Sequence, residues 1–208
     1  IYQTFSPLVN IGMSNDNHAV FVDNNNNKMF ATKNGGLNFD STRLTDSNIE
    51  DVYCVNSNVV YAIGKNLWKS TDGGITWSKV FTFSSSQNYK SLQFINEETG
   101  WVINSNGLFK TIDSGFSWEE VNTAGSFIKG SQSPSLFFSD GNHGYISDNT
   151  KISKTNNGGV NWNLIYTGSS TYHDVQFIND NLGYITDGKY LLKTTDSGAT
   201  WQKVVTLG

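Results

Sequence analysis

Three features of the sequence predict an all-β fold of about five four-stranded units. An eight-residue pattern of hydroxyl, acid or amide, glycine and aromatic recurs five times, its copies are evenly spaced, and no helical 3.6 period of useful length occurs between them. The copies are Thr32-Lys33-Asn34-Gly35-Gly36-Leu37-Asn38-Phe39, Ser70-Thr71-Asp72-Gly73-Gly74-Ile75-Thr76-Trp77, Thr111-Ile112-Asp113-Ser114-Gly115-Phe116-Ser117-Trp118, Thr155-Asn156-Asn157-Gly158-Gly159-Val160-Asn161-Trp162 and Thr194-Thr195-Asp196-Ser197-Gly198-Ala199-Thr200-Trp201. Their first residues are 38, 41, 44 and 39 positions apart. A period of roughly 40 to 50 residues is that of four-stranded propeller blades, so the predicted architecture is a β-propeller.

Within each octet the chemistry is that of a hairpin turn. The Asp or Asn accepts from backbone amides ahead of it, the leading Ser or Thr holds the acid, the Gly takes a positive φ, and the closing aromatic covers the turn. Thr32, Asn34, Gly36 and Phe39 fill these roles in the first copy, and Ser70, Asp72, Gly74 and Trp77 in the second. Thr111, Asp113, Gly115 and Trp118 follow, then Thr155, Asn157, Gly159 and Trp162, then Thr194, Asp196, Gly198 and Trp201. Residues repeated in every unit cannot mark one site, so these positions are assigned to structure.

The remaining strands follow by laying the units on one another. In the last unit they read 173 to 177, 183 to 186, 190 to 194 and 201 to 205, each short, β-branched or aromatic, and bounded by Asn, Asp and Gly. Position 177 is matched to Ile11, Cys54, Phe94 and Phe138, and position 184 to Val20, Tyr61, Trp101 and Tyr145. Position 192 is matched to Phe30, Trp68, Phe109 and, as the exception, Ser153. The blades then run over about 7–44, 49–84, 89–125, 133–168 and 173–206 in a single domain of 1–208. The run Asn24 to Asn27 is expected to be a solvated turn, and Ile1 to Phe5 a strand-like remnant able to pair with the last blade.

Composition narrows the function classes. The net charge is −4 and Arg43 is the only arginine, so nothing resembles a phosphate-neutralising stripe and nucleic acid is not an expected partner. Apolar runs are strand-length, which argues against membrane insertion, and no signal-type segment precedes Ile1, so the chain reads as mature or trimmed. Cys54 is alone and falls in a core column, where it reads as a small hydrophobe. His18 and His143 occupy a turn column in non-adjacent units and no cluster has ligand spacing, so neither metal nor cofactor is expected. No Asn-x-Ser/Thr triplet occurs, which suits an extracellular, cell-surface or periplasmic protein of a bacterium.

Candidate binding residues sit where each innermost strand begins, on the face around the channel entrance. They are Asp51, Lys90, His173 and Asp174, with the loop aromatics Tyr89, Phe127 and Tyr172 as a stacking platform and the loop 122–133 as its longest segment. Glu50 or Asp51 with Asp174 is the one carboxylate pairing that offers a hydrolase reading.

With octets of the form Ser/Thr-x-Asp-x-Gly-x-Thr/Ser-Trp, nearly the whole chain resembles the Asp-box (BNR repeat) propellers. That group includes sialidases, xyloglucanases, sortilin-type receptors and photosystem assembly factors. Val175-Gln176-Phe177, Gly183-Tyr184 and Lys193 through Trp201 are most similar to the assembly-factor and bacterial surface-protein branch. The resemblance implies the fold and leaves activity open, since the octet serves enzymes and non-enzymes alike. Family sialidases clamp a carboxylate with three arginines and assembly factors carry an arginine-rich patch, and Arg43 alone supplies neither. The expected function is a non-enzymatic binding or scaffolding propeller with a protein or glycan partner, within a larger polypeptide or complex. The alternatives are the hydrolase and a structural spacer.

Overall fold

The computed structural model describes residues 8–23, 27–45, 48–83, 89–104, 106–121, 134–148, 150–168, 174–186 and 189–206. The stretches 1–5, 24–26 and 122–133, with Phe127, Tyr172 and His173, lie outside them. Blade 1 is β1 (Leu8–Asn15), β2 (His18–Asp23), β3 (Lys28–Thr32) and β4 (Asp40–Arg43). Blade 2 is β5 (Asp51–Cys54), β6 (Val60–Ile63), β7 (Asn66–Ser70) and β8 (Ser78–Thr82). Blade 3 is β9 (Tyr89–Phe94), β10 (Gly100–Asn104), β11 (Gly107–Thr111) and β12 (Glu119–Val121). Blade 4 is β13 (Ser135–Phe138), β14 (Gly144–Asp148), β15 (Lys151–Thr155) and β16 (Asn163–Thr167). Blade 5 is β17 (Asp174–Phe177), β18 (Gly183–Thr186), β19 (Tyr190–Thr194) and β20 (Gln202–Thr206).

Each blade is one four-stranded meander with its strands in sequence order, and together the five are the all-β blades of a β-propeller. The chain divides into two compact units, 1–100 with 111–118, and 101–110 with 119–208. In the first unit β1 packs on β5 and β5 on β9, and in the second β13 packs on β17, so first strands are innermost as predicted. The strands form where apolar and polar residues alternate or run apolar throughout: β6, β10 and β14 are buried at every position, whereas β17 alternates.

One predicted column is corrected by the register. Cys54 pairs with Val60, Phe138 with Gly144 and Phe177 with Gly183. The pairing that corresponds in blade 1 is Met13 with Ala19, whereas Ile11 pairs with Phe21 as Val52 does with Ala62. Met13, not Ile11, therefore occupies the column of Phe177, and Ile11 occupies that of Val175. The cause is a longer β1 with register irregularities between Leu8 and Asn10 and between Met13 and Asn15. The same registers support the other columns, including Ser153, which pairs with Ile146 as Leu192 does with Ile185. Ser153 is buried and its hydroxyl has no partner, and nothing in the structure explains why this unit carries serine there.

Neighbouring blades meet through a repeated pair of surfaces. From its front surface a blade presents the aromatic of its second strand, and from its rear surface the next blade presents the last apolar residue of its first strand together with its octet. Tyr61 stacks on Phe94 with ring centroids 3.8 Å apart, Trp101 on Phe138 at 3.8 Å, and Tyr145 on Phe177 at 3.7 Å. At the first junction Val20 and Cys54 take these places in a core with Val22, Met29, Ala31, Val52 and Trp68. Each stacked pair adds about 0.5 to 1.5 kcal/mol beyond its buried area. A lysine of the third strand lies over the same front aromatic: Lys69 over Tyr61, Lys110 over Trp101, Lys154 over Tyr145 and Lys193 over Tyr184.

A second repeated turn joins first and second strands, a signal present in the sequence but not used there. Asn15, Asn56, Asn96, Asp140 and Asn179 each accept with Oδ1 from the amides two and three residues ahead.

Candidate functional site

The octets are built as turns, and their polar atoms are consumed by them. Ser70 Oγ donates to Asp72 Oδ1 at 2.8 Å and accepts from Gly74 N at 2.8 Å. Asp72 in turn accepts from Thr76 N at 2.9 Å and Thr76 Oγ1 at 2.6 Å, while Trp77 Nε1 donates to Gly74 O at 2.9 Å. Thr111, Asp113, Gly115 and Trp118 repeat this, as do Thr194, Asp196, Gly198 and Trp201. In the first and fourth copies an asparagine replaces the acid and a second asparagine follows four residues on: Asn34 accepts from Asn38 N and Asn157 from Asn161 N. Thr32 and Thr155 hold these amides and the glycine amides of Gly36 and Gly159. Phe39 closes the first copy against Phe21, and Trp162 the fourth against Phe138.

These hydrogen bonds hold the carboxyls in their charged form. The Thr200 hydroxyl and amide, then Thr194, push Asp196 down to about 2, and the Ser117 hydroxyl lowers Asp113. For Asp72 partial burial pushes upward, but the bonds from Thr76, Ser70 and Ile75 together outweigh it. A carboxyl whose folded pKa lies below its unfolded value of about 3.9 adds stability above that pH and loses it as pH falls through the folded value. Denaturant midpoints are therefore expected to drop between about pH 4 and pH 2. Changing Asp72, Asp113 and Asp196 together to Asn should flatten that drop, and an unchanged slope would refute the assignment.

At the channel-entrance ends of the first strands, the predicted ligand-binding residues tie adjacent blades together. Lys90 Nζ meets Glu50 Oε2 at 3.0 Å, both about one-third exposed. Asp51 accepts from Val52 N with Oδ1 at 2.8 Å and from Leu92 N of the next blade with Oδ2 at 2.8 Å. Asn10 Nδ2 donates to Glu50 O, so blade 1 is tied to blade 2 in the same way. In the second unit Asp174 Oδ1 accepts from Ser135 Oγ of the preceding blade at 2.8 Å and from Gln176 Nε2 at 3.5 Å. Tyr89 is corrected from platform to core: it is 3% exposed and packs on Phe83, which in turn meets Trp118. The contacts of Asp51, Tyr89 and Asp174 were not legible beforehand because most partners lie a whole repeat or more away in sequence.

Cys54 is buried and its thiol is pushed up to about 12 by that burial, which fits a hydrophobe and not a nucleophile. His18 bridges Ser14 Oγ at 2.8 Å and Gly73 O at 3.1 Å, linking blade 1 to the octet of blade 2. His143 meets Asp140 at 2.8 Å on the surface, and its hydrogen bond pulls Asp140 down to about 2. Among the described residues no three His, Cys, Asp or Glu side chains form a group able to hold a metal, and no helix is long and apolar enough to cross a membrane.

No protein-family model matches the sequence, and no curated protein matches it. Solved structures do. A GH74 enzyme of Niastella koreensis superposes with a TM-score of 0.74 at 17% identity over 94% of this chain, which spans 38% of that enzyme. YCF48 from Cyanidioschyzon merolae gives 0.63 at 14% identity, covering 98% of this chain and 86% of that one. YCF48 bound to a D1 peptide gives 0.56 at 16% identity over 97% and 83%. At these identities the likeness establishes the five-bladed propeller fold, shared by a peptide-bound protein and by glycoside hydrolases.

Proposed function

We propose that the chain is a non-enzymatic Asp-box propeller that binds a protein or glycan at its channel-entrance face, within a secreted or surface assembly of a bacterium. One observation carries this reading. Glu50, Asp51 and Asp174, the acids a hydrolase would need, are each engaged in a tie within or between blades. A carboxylate holding a neighbouring backbone or hydroxyl in place is poorly suited to act as a proton donor or nucleophile, roles that require it to face substrate. Two YCF48 structures resemble this chain over most of both proteins, one of them bound to a peptide, which favours a protein partner over a glycan. Lys90 is the accessible cation of the set, and Phe127, Tyr172 and His173 complete the proposed surface.

The test is paired. Incubation with a polysaccharide panel that includes xyloglucan is expected to release no reducing sugar, and release abolished by Asp174→Asn would establish the hydrolase instead. Peptide and glycan arrays probed with the purified chain should retain a ligand whose binding falls about tenfold in Lys90→Glu, a change of about 1.4 kcal/mol. Because Lys90 and Glu50 form an exposed pair worth about 0 to 1 kcal/mol, that variant should fold normally.

A further inference from the structure

The five blades supply nearly identical front and rear surfaces, but only the internal junctions use both. At these junctions the rear columns are closed: Val52, Leu92, Leu136 and Val175 are 0–3% exposed, and Cys54, Phe94, Phe138 and Phe177 are 1–7% exposed. On blade 1 the same two columns hold Ile11 and Met13, at 60% and 61%. Phe39, the octet aromatic of that blade, is 42% exposed. With Ala19, Phe21 and Gly36 these side chains line an open groove of about 250 Å³ made by blade 1 alone.

The complementary half is on blade 5. Val20, Tyr61, Trp101 and Tyr145 are fully buried front residues, whereas Tyr184 in the same column is half-buried. Leu67, Leu108 and Ile152 are likewise closed, but Leu191 is half-buried and Val204 is half-exposed.

We propose that the rear surface of blade 1 docks the front surface of blade 5 of a second copy of this chain, continuing the blade-to-blade interface between molecules. The internal junctions dictate the pairing: the front aromatic meets the last apolar residue of the next first strand, which sets Tyr184 against Met13. A thioether against an aromatic ring is a favourable contact. Tyr184 already carries Lys193 over its ring, as Tyr145 carries Lys154. The charges agree as well. Lys110 of blade 3 reaches toward the octet of blade 4 at Gly158, the counterpart of Gly35, which lies beside Asp16 on the rim of the groove. By the same geometry Lys193 of the second copy comes to Asp16. A large exposed apolar surface whose counterpart lies on the same chain suits head-to-tail association.

Sedimentation velocity over a wide concentration range is expected to show reversible association, weakened about tenfold or more by Met13→Glu or by Ile11→Lys, since each would bury an unpaired charge. Chains carrying Met13→Cys are then mixed with chains carrying Tyr184→Cys and treated with a short bismaleimide, to which buried Cys54 is inert. A cross-linked dimer that forms only in the mixture supports the proposal. A monomer at every concentration with no cross-link overturns it. So does a double variant that cross-links only within one chain, which would mean that blade 1 is covered by its own fifth blade. None of these outcomes bears on the entrance face, so the binding function is tested separately.

Discussion

Replacing Gly144 with valine is expected to destabilise the protein by about 2 to 3 kcal/mol, and adding Phe138→Cys to recover part of that loss. A Cβ at Gly144 would stand 2.5 Å from the ring of Phe138. That ring cannot yield, because it is stacked on Trp101 at 3.8 Å and meets the edge of Trp162 at 6.1 Å. Gly183 and Gly100 face Phe177 and Phe94 in the same way, at 2.6 and 2.7 Å. Blade 2 solves the same junction with the sizes exchanged, Val60 opposite Cys54. The valine and cysteine changes should therefore be strongly non-additive. Phe138→Cys alone opens a cavity costing about 3 kcal/mol, yet in the Gly144→Val background it removes the clash. Full recovery is not expected, since Trp101 would lose its stacking partner. Denaturant titration of the wild type, both single variants and the double variant measures the coupling, and simple additivity would show that the strand pair does not select for size.

The contrast between what was legible and what was not follows from sequence distance. The octet could be read because its hydrogen bonds join residues two to four apart, as in Thr194 to Asp196 and Gly198. Blade number and strand order followed from its spacing. Columns were legible wherever the unit kept its length, but β1 carries extra residues between Ile11 and Asn15, and an irregularity of that kind has no composition of its own. Polarity at the channel entrance was visible in Glu50, Asp51, Lys90 and Asp174. That Asp51 would spend an oxygen on Leu92 N, and Asp174 on Ser135, was hidden, since those partners are 41 and 39 residues away. Tyr89 misled for a related reason: its partner Phe83 lies on the far side of an inter-blade loop and turns it inward.

Gly115→Ser should be among the most damaging single changes in the first unit, costing about 3 kcal/mol or more, whereas Ser114→Gly beside it should be close to neutral. The two residues share one turn and both have positive φ, 63° at Ser114 and 86° at Gly115, so backbone conformation alone does not separate them. Surroundings do. A side chain at Ser114 points outward, where its Oγ donates to Glu97 O at 2.8 Å and offsets the left-handed conformation. Ser197 compensates similarly with a bond to Asn181 Oδ1 at 3.0 Å, while the other copies use Gly35, Gly73 and Gly158. A Cβ at Gly115 would instead lie 2.3 Å from Leu67 Cδ2 of the preceding blade, in a core where Leu67 is fully buried. Strain and overpacking then add, and the octet is driven off the blade it covers. Ser114→Gly removes strain of about 1 kcal/mol but also removes the Glu97 bond and frees the unfolded chain, effects of similar size and opposite sign. Thermal unfolding of the two variants distinguishes these roles. Equal losses would mean that the turn conformation, and not its packing on the neighbouring blade, fixes the second glycine.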